Sequence, residues 1–301
     1  MKFDVLVSGM NVVDLLLTMP ASYKAGHKHQ VDEILIQGGA PAGNAACGMA
    51  SLGLNTAFLG FLGNNPQSNI AKGELERCGV VTDLMLRDDT AVPATALVQV
   101  DPDNGDRTVF YTTNGYRALS PMDIDDGWLA STKLVLVDGY DIEGNLALLE
   151  KAKALGLPSV VDMEAGDRGQ LMHMLKLGGH VILPLEAAQF LAEEQLPETC
   201  LRKLSALTDG QVVITDGANG SWALDGDELV QQRCFPVEVV DTTGCGDAYH
   251  ASYAYGLLKG FDLAKRMQFA SGFAAIVATH FGGRTRFPSE EQVWQFIQNY
   301  S

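Results

Sequence analysis

Positive charge is scarce in this chain. Lys and Arg number 21 against 37 Asp and Glu in 301 residues, a net charge of 21 − 37 = −16. There is no Lys/Arg-rich run, so the basic stripe that a nucleic-acid binder needs is missing. Small anions stay open as ligands, because a single helix N-terminus holds a phosphate locally even in an acidic protein. Cysteine is sparse too: Cys47, Cys78, Cys200, Cys234 and Cys245, an odd number with no C-x-x-C. That argues against a disulfide framework and a cysteine-rich zinc site, and for a reduced, cytoplasmic protein. No apolar run reaches the roughly 18 residues of a membrane span. The apolar start, MKFDVLVSGMNVVDLLLTMP, carries Asp4 and Asp14, which an export segment would not tolerate, so it reads as a first buried strand. No membrane partner is expected. A G-x-x-x-x-G-K-[ST] phosphate cradle is absent, and the first strand ends in SGMNVVD rather than the G-x-G-x-x-G of a dinucleotide-binding dehydrogenase.

What the chain does have is apolar substance. Hydrophobic residues make up 47% and charged residues only 19%, enough to bury a sizeable core. Nearly continuous Val/Ile/Leu runs at 3–9, 56–63, 133–139, 158–163, 180–184 and 211–217 read as strands buried on both faces. Helical patterns lie between them, at about 43–52, 66–78, 143–155, 167–177, 186–208 with a break at Pro197, 245–259, 262–279 and 289–299. Such alternation predicts an α/β fold with a mostly parallel central sheet flanked by helices.

Two stretches, 11–37 and 91–113, have no helix to cover their far side. In the second, two β-rich runs flank DPDNGD, whose Asn104-Gly105 is a strong hairpin signal. In the first, Val31, Ile34 and Ile36 break strict alternation, which suggests a bulge near Glu33. Together they are expected to form a small projecting β-sheet, a lid on a single domain spanning 1–301. A plain surface hairpin is the simpler alternative.

The chemistry concentrates in VEVVDTTGCGDAYHASYAYGLLKG, 237–260. The β-rich VEVV ends at Asp241, a tight turn follows, and then a helix. Gly244 and Gly246 let the backbone approach a ligand. The amides of Gly244, Cys245 and Gly246 would sit at a free helix N-terminus, an anion hole. Asp247, in the first helical turn, would repel an anion there, so a chemical role is indicated: accepting a proton from an attacking hydroxyl while the amides stabilise the transferring group. The N-terminus would also lower the Cys245 thiol pKa and make it sensitive to oxidation.

DTTGCGD resembles the D-T-x-G-A-G-D signature of the ribokinase-like, or PfkB, carbohydrate kinases, with Cys245 where alanine is usual. The resemblance runs along nearly the whole chain. GGAPAGNAACGMASLG, 38–53, is similar to the family's Gly-Gly and Asn signature, with Gly38, Gly39 and Asn44 at the corresponding places and one residue more between Gly and Asn. GMNVVD, 9–14, resembles the segment whose last aspartate, here Asp14, holds sugar hydroxyls. ITDGANGSWAL, 214–224, is similar to a turn lining the nucleotide site, through Thr215, Gly217 and Gly220. ASGFAAIVATHFGGRTRFP, 270–288, resembles the adenine pocket and implicates Ser271 and Gly282. The family's N-x-x-E is eroded: Leu185 and Ala188 stand in its place. Glu186, one position over, and Asp241 are then the candidate metal ligands. This erosion resembles the ketohexokinase and sulfofructose kinase branches, and the longer Gly-to-Asn spacing and the FASG…GGR tail resemble the latter.

The resemblance implies an ATP- and Mg²⁺-dependent kinase for a small sugar, a ketose or ketose-like one favoured, with a monovalent cation as a further candidate cofactor. It also implies a homodimer, since lids in the family commonly pack against each other. Arg107, in the lid hairpin, could reach an anionic substrate group, although a solvated arginine is the simpler reading. A nucleoside or vitamin kinase of the same fold, or a sugar-binding regulator without catalysis, are the alternatives. His27 and His29 lack a third ligand and read as a solvated loop, and His250 as a packed helix residue.

Overall fold

The computed structural model describes residues 2–20 and 22–300. The Val/Ile/Leu runs form most of an eight-stranded sheet of β1 (Val5–Ser8), β4 (Thr56–Leu59), β9 (Leu134–Val137), β10 (Ser159–Asp162), β11 (His180–Pro184), β12 (Gln211–Thr215), β13 (Ser221–Asp225) and β14 (Glu228–Gln232). The order is β14-β13-β12-β11-β10-β9-β1-β4. Pairing is parallel from β4 to β12 and antiparallel from β12 to β14.

Period-2 alternation splits each buried strand between two cores. Val5, Val7, Leu134, Leu136, Ile182 and Val213 pack on the side of α1 (Pro41–Ser51), α8 (Cys245–Leu258) and α9 (Leu263–Val277). Leu6, Val135, Val137, Leu183, Val212 and Ile214 pack on the other side. There they meet α4 (Ile142–Ala154), α5 (Arg168–Leu177), α6 (Leu185–Ala192) and α7 (Pro197–Ser205). Helix starts follow capping rules. In α2 (Pro66–Arg77), Asn65 accepts from the Ser68 amide and Pro66 opens the helix. Ser289 makes a capping box for α10 (Glu290–Gln298). Pro197 divides α6 from α7, where the sequence placed its break.

A second sheet has four strands, β3 (Leu35–Gly39), β2 (Val12–Thr18), β7 (Thr95–Val100) and β8 (Arg107–Thr112), in that order. Its strands come from the two stretches without a covering helix. Leu16, Ala96, Val98 and Val100 are buried on its inner side. The outer side carries a row set by register: Ile36 opposite Leu15, Leu15 opposite Leu97, Leu97 opposite Phe110. Ile36, Leu97 and Phe110 are 52%, 37% and 56% exposed.

Four expectations change. No bulge forms near Glu33: β3 starts only at Leu35, so Glu33 lies outside the strand and the broken alternation is loop. The run 56–63 divides into β4 and β5 (Phe61–Leu62), which pairs with β6 (Leu86–Arg87). The pattern also missed β14 and the short α3 (Asp126–Leu129). VEVV is not a strand, although β-rich. Its backbone is taken up elsewhere: the Val240 amide bonds Ala278 O at 2.9 Å and the Thr242 amide bonds Gly105 O at 3.1 Å. Val239 and Val240 remain exposed.

Candidate active site

A cleft opens between the lid sheet and the C-terminal ends of the parallel strands, where open α/β sheets bind ligands. Val12, Asp14, Ala96, Arg107 and Tyr111 line it from the lid; Asn44, Tyr140, Glu164, Gly244 and Asp247 line it from the main domain. Gly244 caps α8 with φ +76°, and a side chain there would meet the Gly283 Cα at 2.9 Å. Glycine is required on both counts. Gly246 is exposed, and a Cβ on it would meet nothing within 4 Å. Open space therefore lies beside Gly246. Of the three amides expected to form the anion hole, that of Cys245 bonds the Thr242 carbonyl at 3.3 Å, which leaves those of Gly244 and Gly246 for an anion. Cys245 follows a different course from the expected one. Burial, the largest influence, pushes its thiol up to about 12 despite the helix N-terminus. Arg107 pulls the other way, while Asp241 and Asp247 add to the rise, so burial and neighbouring acids oppose the reactive thiolate expected there.

Asp247 is buried at the floor of this cleft, and its Oδ2 accepts a hydrogen bond from Asn44 Nδ2 at 2.6 Å. Asn44 Oδ1 in turn accepts from Arg284 Nε, also at 2.6 Å. The Asn44 carboxamide is thus engaged at both ends by protein groups. The space beside Gly43 is filled by Arg284: a Cβ there would lie 2.2 Å from Nη2. Gly38 leaves room for the same guanidinium, and Gly39 for the Asp14 carboxylate, whose Oδ2 a Cβ would meet at 1.8 Å. Ala40, which lines the cleft and precedes α1, holds φ +69°, a conformation costing on the order of 1–3 kcal/mol for a residue with a side chain.

Negative charge accumulates here. Burial pushes the Asp14 carboxyl up to about 6 against the pull of Arg284, with Asp247 adding to the rise. Burial and then Asp247 push Glu164 up to about 7. Behind the cleft, Asp138 is raised to about 8 by burial and by Asp141. Asp138 nevertheless accepts amides from Met10 at 2.8 Å and Ala42 at 3.2 Å, tying β1 and α1 to β9. Asp162 lies near His250, whose Nδ1 is 3.2 Å from Asp162 Oδ2. Burial favours the neutral form of both, so this contact is not an ion pair. His250 Nδ1 lies 2.7 Å from the Gly246 carbonyl and Nε2 3.3 Å from the Ile182 carbonyl; the neutral ring has one N–H to donate to one of them, and His250 sits as a packed helix residue. Arg107 stays exposed, with Nη1 3.3 Å from the Thr242 carbonyl.

The remaining candidates lie apart from the cleft lining. Thr215 ends β12, and Gly217 and Gly220 sit in the following turn with φ +48° and +95°. Ser271 is buried on α9. The Gly282 amide bonds Asp241 Oδ2 and the Thr243 amide bonds Asp241 Oδ1, both at 2.8 Å. Asp241 therefore stitches two loops together and has both oxygens occupied. Glu186 is exposed in the first turn of α6. No cluster of three or more metal-ligating side chains exists among the described residues. Nothing here forms a resident metal centre, whereas Mg²⁺ bound to a nucleotide needs only one or two protein carboxylates. His27 and His29 lie in the segment between β2 and β3.

Sequence reasoning missed Arg284, Glu164 and Tyr140 as cleft residues or their neighbours. The only local trace was the Gly-Gly-Arg of the tail, read as part of the adenine pocket. The guanidinium instead reaches the opposite, lid-side wall, bonding the Gly39 carbonyl at 2.7 Å.

A helix N-terminus over open space, a carboxylate in its first turn and a β-lid across the strand ends define a phosphoryl-transfer class of site. The profile of the pfkB family carbohydrate kinases matches residues 4–290, and the chain belongs to that family of sugar kinases. Curated relatives include a 5-dehydro-2-deoxygluconokinase of Shouchella clausii, 25% identical over 99% of this chain and 96% of its own length. A fructokinase of Vibrio alginolyticus is 26% identical over 98% of this chain and 99% of its own. Among solved structures, the fructokinase with bound ATP from Xylella fastidiosa superposes with a TM-score of 0.84 at 20% identity, covering 100% of this chain and 99% of its own. Arabidopsis thaliana ribokinase complexed with ribose and ATP gives 0.83 at 20% identity, covering 99% of each chain. The fold is ribokinase-like. No helix among the described residues is long and apolar enough to cross a membrane.

Proposed function

We propose that this sugar kinase transfers the γ-phosphoryl group of ATP to a hydroxyl of a neutral ketose or ketose-like sugar, with Asp247 as general base. The observation that carries the reading is the position of Asp247: buried on the cleft floor, at the start of α8, beneath the lid. The sugar lies between the lid and the strand ends, its hydroxyls held by Asp14 and by the Gly38–Gly39 backbone. Asn44 fixes one Asp247 oxygen and leaves the other for the attacking hydroxyl. The hydroxyl gives its proton to that oxygen as its own oxygen attacks phosphorus in line. The bond from phosphorus to the β–γ bridging oxygen breaks, releasing ADP. The amides of Gly244 and Gly246 offset the charge that develops. Mg²⁺ carried on the nucleotide would supply neutralisation of the phosphate charge. Thr215, Gly217, Gly220, Ser271 and Gly282 are the proposed nucleotide side, with Glu186 and Asp241 nearby in the role of outer, water-mediated metal partners.

Substrate class follows from charge. Asp14, Glu164 and Asp247 face the cleft against the single cation of Arg107. Carboxylates accept hydroxyls readily but repel an aldonate. This favours the substrate named by the fructokinase relative over the acid named by the deoxygluconokinase. The homodimer and cytoplasmic location are likewise proposed. The dimer rests on the apolar outer row of the lid, and the location on five cysteines that are all unpaired. The test is ADP release over a panel of ketoses, pentoses, 5-dehydro-2-deoxygluconate, nucleosides and pyridoxal, with and without K⁺. Preferred turnover of a neutral ketose is expected. A preferred nucleoside, vitamin or acid would overturn the substrate class, and ATP turnover with none of them would favour a regulator.

A further inference from the structure

The Arg284 side chain is a buried charge without the usual partner. It is 1% exposed, among the largest fully buried side chains of the protein. No carboxylate lies within 4 Å of it among the described residues. Its Nη1 has no hydrogen-bond partner there either. Burying a guanidinium without an ion pair is costly, and the fold tolerates it only where the group serves something else. Its remaining donors go to neutral acceptors: Nε to Asn44 Oδ1 at 2.6 Å, Nη2 to Asn11 Oδ1 at 3.1 Å and to the Gly39 carbonyl at 2.7 Å. Two glycines, 38 and 43, vacate the space it fills.

We infer that Arg284 is a positioning residue for the base, acting through Asn44. A carboxamide has two nearly isosteric ends, and a free Asn44 could present either one to Asp247. With its carbonyl in front of Asp247, two acceptors would face each other. A permanently charged donor at the far end removes that choice. Asn44 Oδ1 must face Arg284, so Nδ2 must face Asp247 Oδ2, at 2.6 Å. Arg284 thereby sets which carboxylate oxygen is occupied and which is aimed at the sugar. The same guanidinium bonds the carbonyl of Gly39, the residue against which the Asp14 carboxylate lies. It couples the base to the sugar-holding wall. A near-attack geometry depends on such coupling, because misplacement by about 1 Å costs on the order of 10²-fold in rate.

This inference rests on Asp247 being the base, so the experiment separates the two. Arg284→Met, Arg284→Lys, Asn44→Ala and the Arg284→Met/Asn44→Ala double variant are assayed with the best sugar of the panel. Arg284→Met is expected to lower kcat about 10- to 100-fold, the worth of a charge-assisted hydrogen bond, with KM for ATP changed less than about threefold. Lysine, which keeps one donor and the charge, should restore part of the loss. In the Asn44→Ala background the Arg284→Met substitution should cost less than about threefold, because its route to the base is already cut. A full, additive loss in that background overturns the inference, as does a kcat for Arg284→Met equal to wild type. Crystal structures of the Lys and Met variants add a readout independent of turnover. Should Arg284→Met fail to fold, Arg284→Leu, equally without a donor, carries both measurements, with Arg284→Lys as the variant in which Asn44 stays in place. The Asn44 carboxamide is expected to move off Asp247 where the arginine is lost. An unmoved Asn44 sinks the proposal even if wild type phosphorylates no sugar, an outcome that by itself would sink only the kinase reading.

Discussion

The two sheets of this protein solve burial differently. The eight-stranded sheet is covered on both faces, and Leu136, Val135 and Ile182 are fully buried. Its parallel strands read as nearly unbroken apolar runs. The four-stranded sheet is covered on one face only. Leu16 and Val98 are buried inside while Ile36 and Phe110 stand out in solvent. A small sheet with an exposed apolar face is marginal by itself. The large sheet is the floor beneath α8, which carries Asp247. The four-stranded sheet keeps its apolar outer row uncovered, and the cleft draws residues from both sides.

The comparison breaks most sharply at the floor. Asp247→Asn keeps an acceptor for Asn44 but removes the base, so kcat should fall roughly 10²- to 10⁴-fold with thermal stability nearly unchanged. A variant retaining near wild-type kcat with the best sugar would show that the base lies elsewhere.

Next in size is the contrast between core and lid. Leu136→Ala in the floor should cost about 2–5 kcal/mol of stability. Ile36→Lys combined with Phe110→Lys on the outer lid row should cost under about 1 kcal/mol, because both side chains are already exposed. The same pair should convert the proposed homodimer to a monomer by light scattering at micromolar concentration. A wild type that is itself monomeric, or a double variant that stays dimeric, removes the lid from the interface.

The smallest effect concerns pH. Asp138 has its carboxyl raised to about 8, chiefly by burial. The native state thus keeps a proton that the unfolded chain releases near 4. The stability of wild type relative to Asp138→Asn is expected to fall as pH rises from about 4 to about 8. Thermal melts of both proteins across that range give the difference directly. A difference independent of pH would mean that Asp138 is ionised at no cost.

Local pattern was a good guide wherever the physics is local. DTTGCGD announced a glycine turn, a helix start and an acid in its first turn, and the fold puts them there. Asn104-Gly105 announced the lid hairpin, and β7 pairs with β8 across it. Pattern failed where a neighbour distant in sequence decided the outcome. VEVV has the composition of a strand, yet its Val240 amide bonds the Ala278 carbonyl, 38 positions on in the chain. Cys245 sits where a thiol is activated in an open helix start, and burial raised it instead.

The α/β class, the two-face burial of the central strands and the place of Asp247 at the start of α8 were written in the chain, because periodicity and turn chemistry act over a few residues. The setting of that base was not. Asn44, Arg284 and Asp14 lie 203, 37 and 233 positions from Asp247. Which of them touch depended on the space left by Gly38, Gly39 and Gly43. Such contacts carry no local signature. A carboxamide's orientation and a buried guanidinium's partners exist only once packing has closed around them.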